Sequence, residues 1–485
     1  MSKNPSTAIL WLRRDLRLAD NPALLQAVQT AQRLIPLFIF APEEELGWAP
    51  GAASRWWLHH SLDALDASLR QAGSRLLIRR GPSLDTLRQV VRESGAGQIY
   101  WNRLYEPAVI ARDQAIKQAL RADGLAVASF NSALLHEPWV VARGGGEPYK
   151  VFTAYWKAWQ EQGLGSAALP APTALPALPP GLDSLSLDSL GLSPKIAWDG
   201  GLRETWHPGE APALARLESF ADAAVASYPQ ARDRPDHPGT SRLAPSLHFG
   251  EISPRQIVQA LQTRLAVAGD QAGVESYTRQ LAWREFAHHL LFHFPHTPDS
   301  PMNQRFQHFP WNEPDPQKLQ AWQRGQTGVP LVDAAMRELW HTGWMHNRAR
   351  MVAASFLVKN LRIHWLEGAR WFWDTLVDAN LANNTLGWQW VAGCGTDAAP
   401  YFRIFNPVLQ GERFDPAGDY VRRWVPELAG LPAPFIHQPW QAPAALRASL
   451  GLRLGVDYPW PIVDLKTSRE QALDAFKRMG EGEQR

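Results

Sequence analysis

At 485 residues the chain exceeds what one hydrophobic core usually organises, so two or more domains are expected. Its residues are 45% hydrophobic and 20% charged, as in a globular protein, and 49 Lys and Arg against 47 Asp and Glu leave a net charge of only +2, so any nucleic-acid contact must come from a local basic groove and not from bulk charge. The lone cysteine, Cys394, excludes a disulfide framework and a cysteine-rich metal site, which suits a reducing cytoplasm.

The N-terminal stretch MSKNPSTAILWLRRDLRLAD has an apolar run too short for a signal or membrane helix, broken by Arg13, Arg14 and Asp15. Short apolar runs then alternate with amphipathic segments. AILWL precedes a helix beginning at Asn21-Pro22, with Asp20 or Asn21 as its cap; RLIPLFIF precedes a helix through WWLHHSLDALDASLR; RLLIRR precedes LDTLRQVVRES; QIYWN precedes a helix near 107–123; LAVASF closes the series. Strands separated by helices at this spacing predict a parallel sheet with right-handed crossovers, a doubly wound α/β domain over residues 1–131. No G-x-G-x-x-G or P-loop follows the first strand, so the common dinucleotide and nucleoside-triphosphate readings lack their phosphate cradle.

Residues 132–204 form a connecting segment that includes a Pro/Leu/Ser-rich linker, whose leucines predict a path across the surface of a neighbour. Residues 205–475 read as an all-α domain and 476–485 as a tail. Ser253-Pro254 is a helix start, and helical periodicity runs through 331–341 and 345–361 around Gly343.

Chemistry concentrates in this second half, which holds 13 of the 23 tryptophans between Trp283 and Trp460; each is first of all a packing residue. Thr240 and Ser241 set hydroxyls ahead of a helix start, a weak anion-cradle signal because such loops usually cap helices. In WMHNRARMVAASF, Asn347 and Met351 share a helix face, with Arg350 three residues from Asn347 and available to a carboxylate such as Asp378. Trp388 and Trp390 would lie about 200° apart on a helix, facing different cavities, and on one face of a strand.

These residues carry a resemblance. The chain resembles the DNA photolyases of the cryptochrome/photolyase family nearly end to end, through ILWLRRDLRLADNPAL, TSRLAPSLHFGEISP, WREF, GVPLVDAAMRELWHTGWMHNRARM, GWQW and TDAAPYFRIFNP. It is most similar to bacterial cyclobutane pyrimidine dimer photolyases of class I or class III type, and LLFHFPHTPDSP and FPW, which resemble plant cryptochromes, favour class III.

The resemblance implies an α/β antenna-type domain and a helical domain holding FAD, reduced and anionic when active, which on absorbing blue light passes an electron to a pyrimidine dimer and recovers it after the ring splits. It assigns Tyr228, Thr240, Ser241, Leu243, Arg284, Asn347, Arg350, Asp378, Asn380 and Asn384 to the cofactor, with Asn384 beside the flavin N5. It assigns Trp388, Trp365 and Trp311 to a photoreduction chain, and Gln280, Trp283, Asn347, Arg348, Met351 and Trp390 to the lesion. Gln280 stands where many such photolyases have a glutamate, Asn380 replaces a second acidic residue near the flavin, and Ala244 replaces a loop serine. Asn347 and Met351 occupy the places of two histidines found in 6-4 photoproduct enzymes, which favours the cyclobutane dimer. The antenna implied is methenyltetrahydrofolate before a deazaflavin. UV-damaged DNA is the partner expected of a monomeric, cytoplasmic bacterial protein, nucleoid-associated when bound, with no metal, membrane or obligate protein partner. A cryptochrome-like photoreceptor and a 6-4 photolyase are the alternatives.

Overall fold

The computed structural model describes residues 6–313, 315–397 and 402–481. Four residues of the TDAAPYFRIFNP motif, 398–401, and the end of the expected tail, 482–485, lie outside the described residues.

Five strands, β1 (Thr7–Leu12), β2 (Arg33–Phe40), β3 (Leu77–Arg80), β4 (Gln98–Asn102) and β5 (Ala126–Phe130), pair in the order β3-β2-β1-β4-β5, all parallel. Helices α1 (Pro22–Thr30), α2 (Ala52–Gln71), α3 (Ser83–Ser94) and α4 (Pro107–Ala122) make the crossovers. Side chains alternate between two cores: Ile9, Trp11, Ile35, Leu37 and Ile99 face one, Ala8, Leu10, Leu34, Phe38 and Tyr100 the other. Cover on both faces explains why the strands read as unbroken apolar runs.

Of the two candidate caps for α1, Asn21 does the work, accepting from the Leu24 N–H at 3.1 Å. Asp20 instead adopts φ +50° and accepts from Arg255 Nε in the helical domain at 3.0 Å. Other ties cross the same boundary. Arg17 donates to the Gly250 carbonyl at 2.8 Å, and buried Glu251 accepts from Trp57 Nε1 at 2.9 Å. Gly250 has φ +66°, and a Cβ there would meet the Arg14 carbonyl, so this contact needs a glycine.

The connecting segment is not free of structure. Its helix Phe152–Glu161 packs into the helical domain's core through Phe152, Tyr155 and Trp159, and its proline-rich part buries Leu175, Leu182, Leu190 and Leu192 against the α/β domain. Beyond it, α5 (Gln271–His293), α6 (Pro330–Thr342), α7 (Asn347–Ser355), α8 (Trp365–Thr375) and α9 (Leu381–Ala392) carry the residues of interest. The predicted start at Ser253 is a full capping box with Gln256, and Gly343 ends α6 at φ +66°. After α7 the backbone widens into a five-residue π turn, Phe356–Asn360, within the stretch predicted as helix. It brings Lys359 inside, where Nζ donates to the Ala392 carbonyl at the end of α9 at 2.7 Å and lies 3.0 Å from the Phe402 ring centre. Burial pulls its amine well below the ordinary lysine range. Among the described residues no helix is long and apolar enough to cross a membrane.

Candidate lesion and flavin site

Helix α5 sets Tyr277, Gln280 and Arg284 three to four residues apart, on one side of the helix. The Tyr277 hydroxyl meets Ser241 Oγ at 2.6 Å, and the Tyr277 ring stands edge-on to Tyr228 with centres 5.2 Å apart. Burial raises both phenols, that of Tyr228 to about 12. Ser241 Oγ also accepts from the Leu243 N–H at 3.3 Å, which shapes the turn from half-buried Thr240 into the helix Ala244–Phe249. Between them Arg242 takes φ +52° and lays its guanidinium 4.6 Å from the Trp344 ring centre.

Above this layer a polar rim joins three segments. Arg232 Nη2 donates to Gln280 Oε1 at 3.2 Å, and its neighbour Asp233 pairs with Arg348 of α7 at 2.9 Å. Asn347 Nδ2 lies 3.9 Å from Met351 Sδ, one turn on. The two indoles are joined by another route. Trp283 stacks on Phe152 at 3.6 Å and 11°, the Asp397 carboxylate accepts from the Phe152 N–H, and Trp390 Nε1 donates to the Asp397 carbonyl at 3.2 Å. The six residues expected at the lesion therefore sit along two short chains of contacts that start on one face of α5.

Below, Arg350 Nη2 binds both oxygens of Asp378 at 3.0 and 2.8 Å, so the ion pair anticipated from the sequence is present. Asn380 caps α9, accepting from the Asn383 N–H at 3.1 Å. Asn384 Nδ2 donates to the Ala369 carbonyl of α8 at 3.0 Å, which turns its oxygen the other way. Trp388 lies on a helix, edge-on to Phe372 and Trp322, and buried Trp365 connects through His364 to half-buried Trp311, with ring centres 5.6 and 5.1 Å apart. Arg284 turns toward the connecting segment and donates to the Ala133 carbonyl at 2.8 Å. Its neighbour Glu285, raised to about 7 by burial, accepts from the His136 N–H and Trp159 Nε1.

The donor set fits a flavin dinucleotide. His346 caps α7 by accepting from the Arg348 N–H at Nδ1, so its proton is on Nε2, which is buried without a partner among the described residues, as is Arg348 Nε. Burial lowers His346 to about 4, beside the guanidinium groups of Arg348, Arg350 and Arg242. Orphan donors among arginines suit an anionic ligand, and a freed amide oxygen on Asn384 suits an N–H. Of the residues that carry this arrangement, sequence reasoning missed Arg232, Asp233, Phe152, His346 and Asp397; the one local signal was the charged run ARDRPDH ahead of Thr240.

A cavity of about 70 Å³ opens beyond the carboxyl ends of the strands, where Arg13, Arg14, Arg112, Phe40 and Ser83 meet Trp373 of the helical domain. Another, of about 20 Å³, lies between α5 and α9, against Leu290, Leu386 and Gln389.

The family model for DNA photolyase matches residues 8–177, and that for the FAD binding domain of DNA photolyase matches residues 277–478. The chain is 46% identical over 479 residues to a deoxyribodipyrimidine photo-lyase of Agrobacterium fabrum, covering 98% of each, and 41% identical to cryptochrome-1 of Arabidopsis thaliana, covering 97% of this chain and 70% of that one. A crystal structure of a bacterial class III photolyase from Agrobacterium tumefaciens superposes with a TM-score of 0.95 at 45% identity, covering 99% of both chains.

Proposed function

The chain belongs to the DNA photolyase family, and from that premise we propose that it repairs cyclobutane pyrimidine dimers in DNA by light-driven electron transfer. When bound, FAD in its reduced, anionic form would supply light-driven one-electron chemistry with no net redox change. The remaining work falls to side chains.

Thr240, Ser241 and Leu243 lie in the loop that would grip the phosphates, with Tyr228 before it, and Arg284, Asn347 and Asn380 complete the cofactor set. The Arg350–Asp378 pair fixes one edge of the flavin site, and Asn384 accepts from a proton on the flavin N5, since its own nitrogen is committed to Ala369. Trp388, Trp365 and Trp311 carry electrons inward when the flavin needs reducing. Trp283 and Trp390 wall a dimer that, as for photolyases generally, has to leave the duplex stack, and Gln280, Asn347, Arg348 and Met351 border it. The observation that carries the reading is that a polar rim, joining Gln280 to Arg348 through Arg232 and Asp233, and an aromatic wall, joining Trp283 to Trp390 through Phe152 and Asp397, both start from α5. Neither an amide nor a thioether is an acid near neutral pH, so Asn347 and Met351 favour the cyclobutane dimer over the 6-4 product.

The interdomain cavity suits an antenna chromophore, and the reading carried from the family likeness is methenyltetrahydrofolate before a deazaflavin. The division into an antenna-type domain to residue 131, a connecting segment to 204 and a helical domain to 475 accompanies this reading. So does a monomer acting in the bacterial cytoplasm, at the nucleoid when bound to DNA. Kinship with a plant cryptochrome supports a second reading, a flavin photoreceptor.

Blue-light treatment of an oligonucleotide bearing one thymine dimer, with reduced protein and a dark control, separates the two. Light-dependent recovery of intact thymines is expected. Photoreduction of bound flavin without recovery would transfer the assignment to the photoreceptor.

A further inference from the structure

We infer that Phe152, carried by the connecting segment, is a positioning residue for lesion capture: stacked against Trp283, it sets the plane of that indole before DNA arrives, so that a dimer meets a wall already formed. This rests on the repair function proposed above and concerns how the same pocket reaches its affinity.

Trp283 is half-buried on α5, and an indole at the rim of a pocket ordinarily has more than one staggered rotamer open to it. Phe152 removes that freedom. It is 1% exposed, and its ring centre lies 3.6 Å from that of Trp283 with the planes 11° apart, so one face of the indole is covered. Only the opposite face and the ring edges remain for a ligand. Phe152 is in turn backed by a file of rings. Trp156 lies nearly parallel to it, with 16° between the planes, and Trp159 nearly parallel to Trp156, at 21° with centres 5.2 Å apart. Phe286 stands edge-on to both Phe152 and Trp283. The far end of the file is anchored, since buried Trp159 donates from Nε1 to Glu285 at 2.7 Å, two residues along α5 from Trp283. The contacts therefore leave α5 at Trp283 and return to it at Glu285, which gives the indole a rigid backing.

A side chain that is mobile in the free protein must be immobilised when a ligand packs on it, and each one costs an interface about two- to tenfold in affinity. With Phe152 in place, Trp283 is ordered by folding and not by the lesion. Undamaged DNA keeps its bases in the stack and does not reach this wall, so it draws no benefit from the ordering. Phe152 thus acts through Trp283, on dimer-containing DNA alone.

The test is a dark titration of flavin-loaded protein with an oligonucleotide bearing one thymine dimer and with its undamaged twin. Phe152→Leu keeps the apolar bulk and loses the flat face. It should weaken binding of the dimer strand about two- to tenfold, with affinity for the undamaged strand and flavin content unchanged. The deciding comparison is made in a Trp283→Ala background, where no indole remains to be held and Phe152→Leu should cost less than about twofold. Phe152→Met, whose flexible chain fills the same gap, takes the place of the leucine variant if that one accumulates without flavin. Equal losses in the two backgrounds, or a parallel loss for the undamaged strand, would overturn the inference and leave Phe152 as core packing. So would a dimer affinity that Phe152→Leu does not change. Blue-light repair of the dimer strand by the native chain keeps the two questions apart: absence of repair sinks the function, while repair alongside equal losses sinks only the role of Phe152.

Discussion

His346 shows how much one side chain can contribute to the arginine cluster at the start of α7. Its Nδ1 caps α7, and its Nε2–H stays buried among three arginines, so the neutral form is favoured and its pKa falls to about 4. The folded state therefore resists taking up a proton that the unfolded chain accepts below about 6.5. The stabilisation is complete above that value and is lost as pH falls toward 4, an effect of about 3 kcal/mol at most. His288 and His289 are lowered by burial too and act in the same sense, whereas Glu285, raised to about 7, loses stability as pH rises through the same window. His346 therefore contributes an acid limb of its own, a loss of stability as pH falls below 6.5. His346→Asn, which keeps a capping acceptor but does not titrate, should flatten that acid limb in thermal melts between pH 4 and 7. An unchanged limb would show that His346 is not a source. At Trp388, which stands between Phe372 and Trp322, replacement by Phe should slow photoreduction of oxidised flavin while pre-reduced protein keeps most of its repair; equal loss of both would remove Trp388 from the electron path and make it a packing residue.

At the scale of elements, α8 and α9 approach each other through a single glycine. A Cβ on Gly368 would lie 2.0 Å from Trp388 Cη2, so the indole rests on bare backbone. Gly368→Ala should destabilise the fold by about 1–3 kcal/mol through overpacking, and Trp388→Phe in the same chain should recover part of that, because it removes the colliding ring carbon. Additive losses in denaturant titrations would contradict the contact. Such pairings also mark the limit of what could be read in advance. The strands were legible because a sheet covered on both faces writes unbroken apolar runs, and the Ser253 start because a proline follows the capping serine at the first helical position. The π turn was not, since a lysine in a helical pattern reads as a solvent-facing position while Lys359 is buried. The site residues came from family likeness and not from spacing. Neither Arg232 on Gln280 nor Phe152 on Trp283 could be seen, because each joins segments 48 or more residues apart only after folding.

Across the whole molecule, near-neutral charge coexists with local arginine clusters. Arg232 has no carboxylate partner among the described residues, and Arg413 and Arg348 both pack on Phe414, at 5.0 and 4.3 Å from its ring centre. With a net charge of only +2, affinity for DNA should come from this face and weaken as salt rises, the log–log slope counting the phosphates neutralised. Reversing Arg413 to Glu should make that slope shallower by about one to two phosphates, with flavin content unchanged; a salt-independent affinity would rule out an electrostatic groove. The two domains are tied to each other by Asp20–Arg255 and Glu251–Trp57, contacts that favour their unfolding together.

Lys359 makes the far end of α9 a clock. Burial lowers the amine below the ordinary lysine range, and its wall of Phe402, Ala392 and Gly393 keeps acylating reagents out. Surface lysines will be tagged within the first moments of a labelling pulse, and Lys359 only when the last turn of α9 opens. The rate at which its peptide gains mass then reports how often that helix end breathes, and comparing the rate with and without dimer-containing DNA would tell whether lesion capture, proposed at Trp390 two residues before Ala392, stills it.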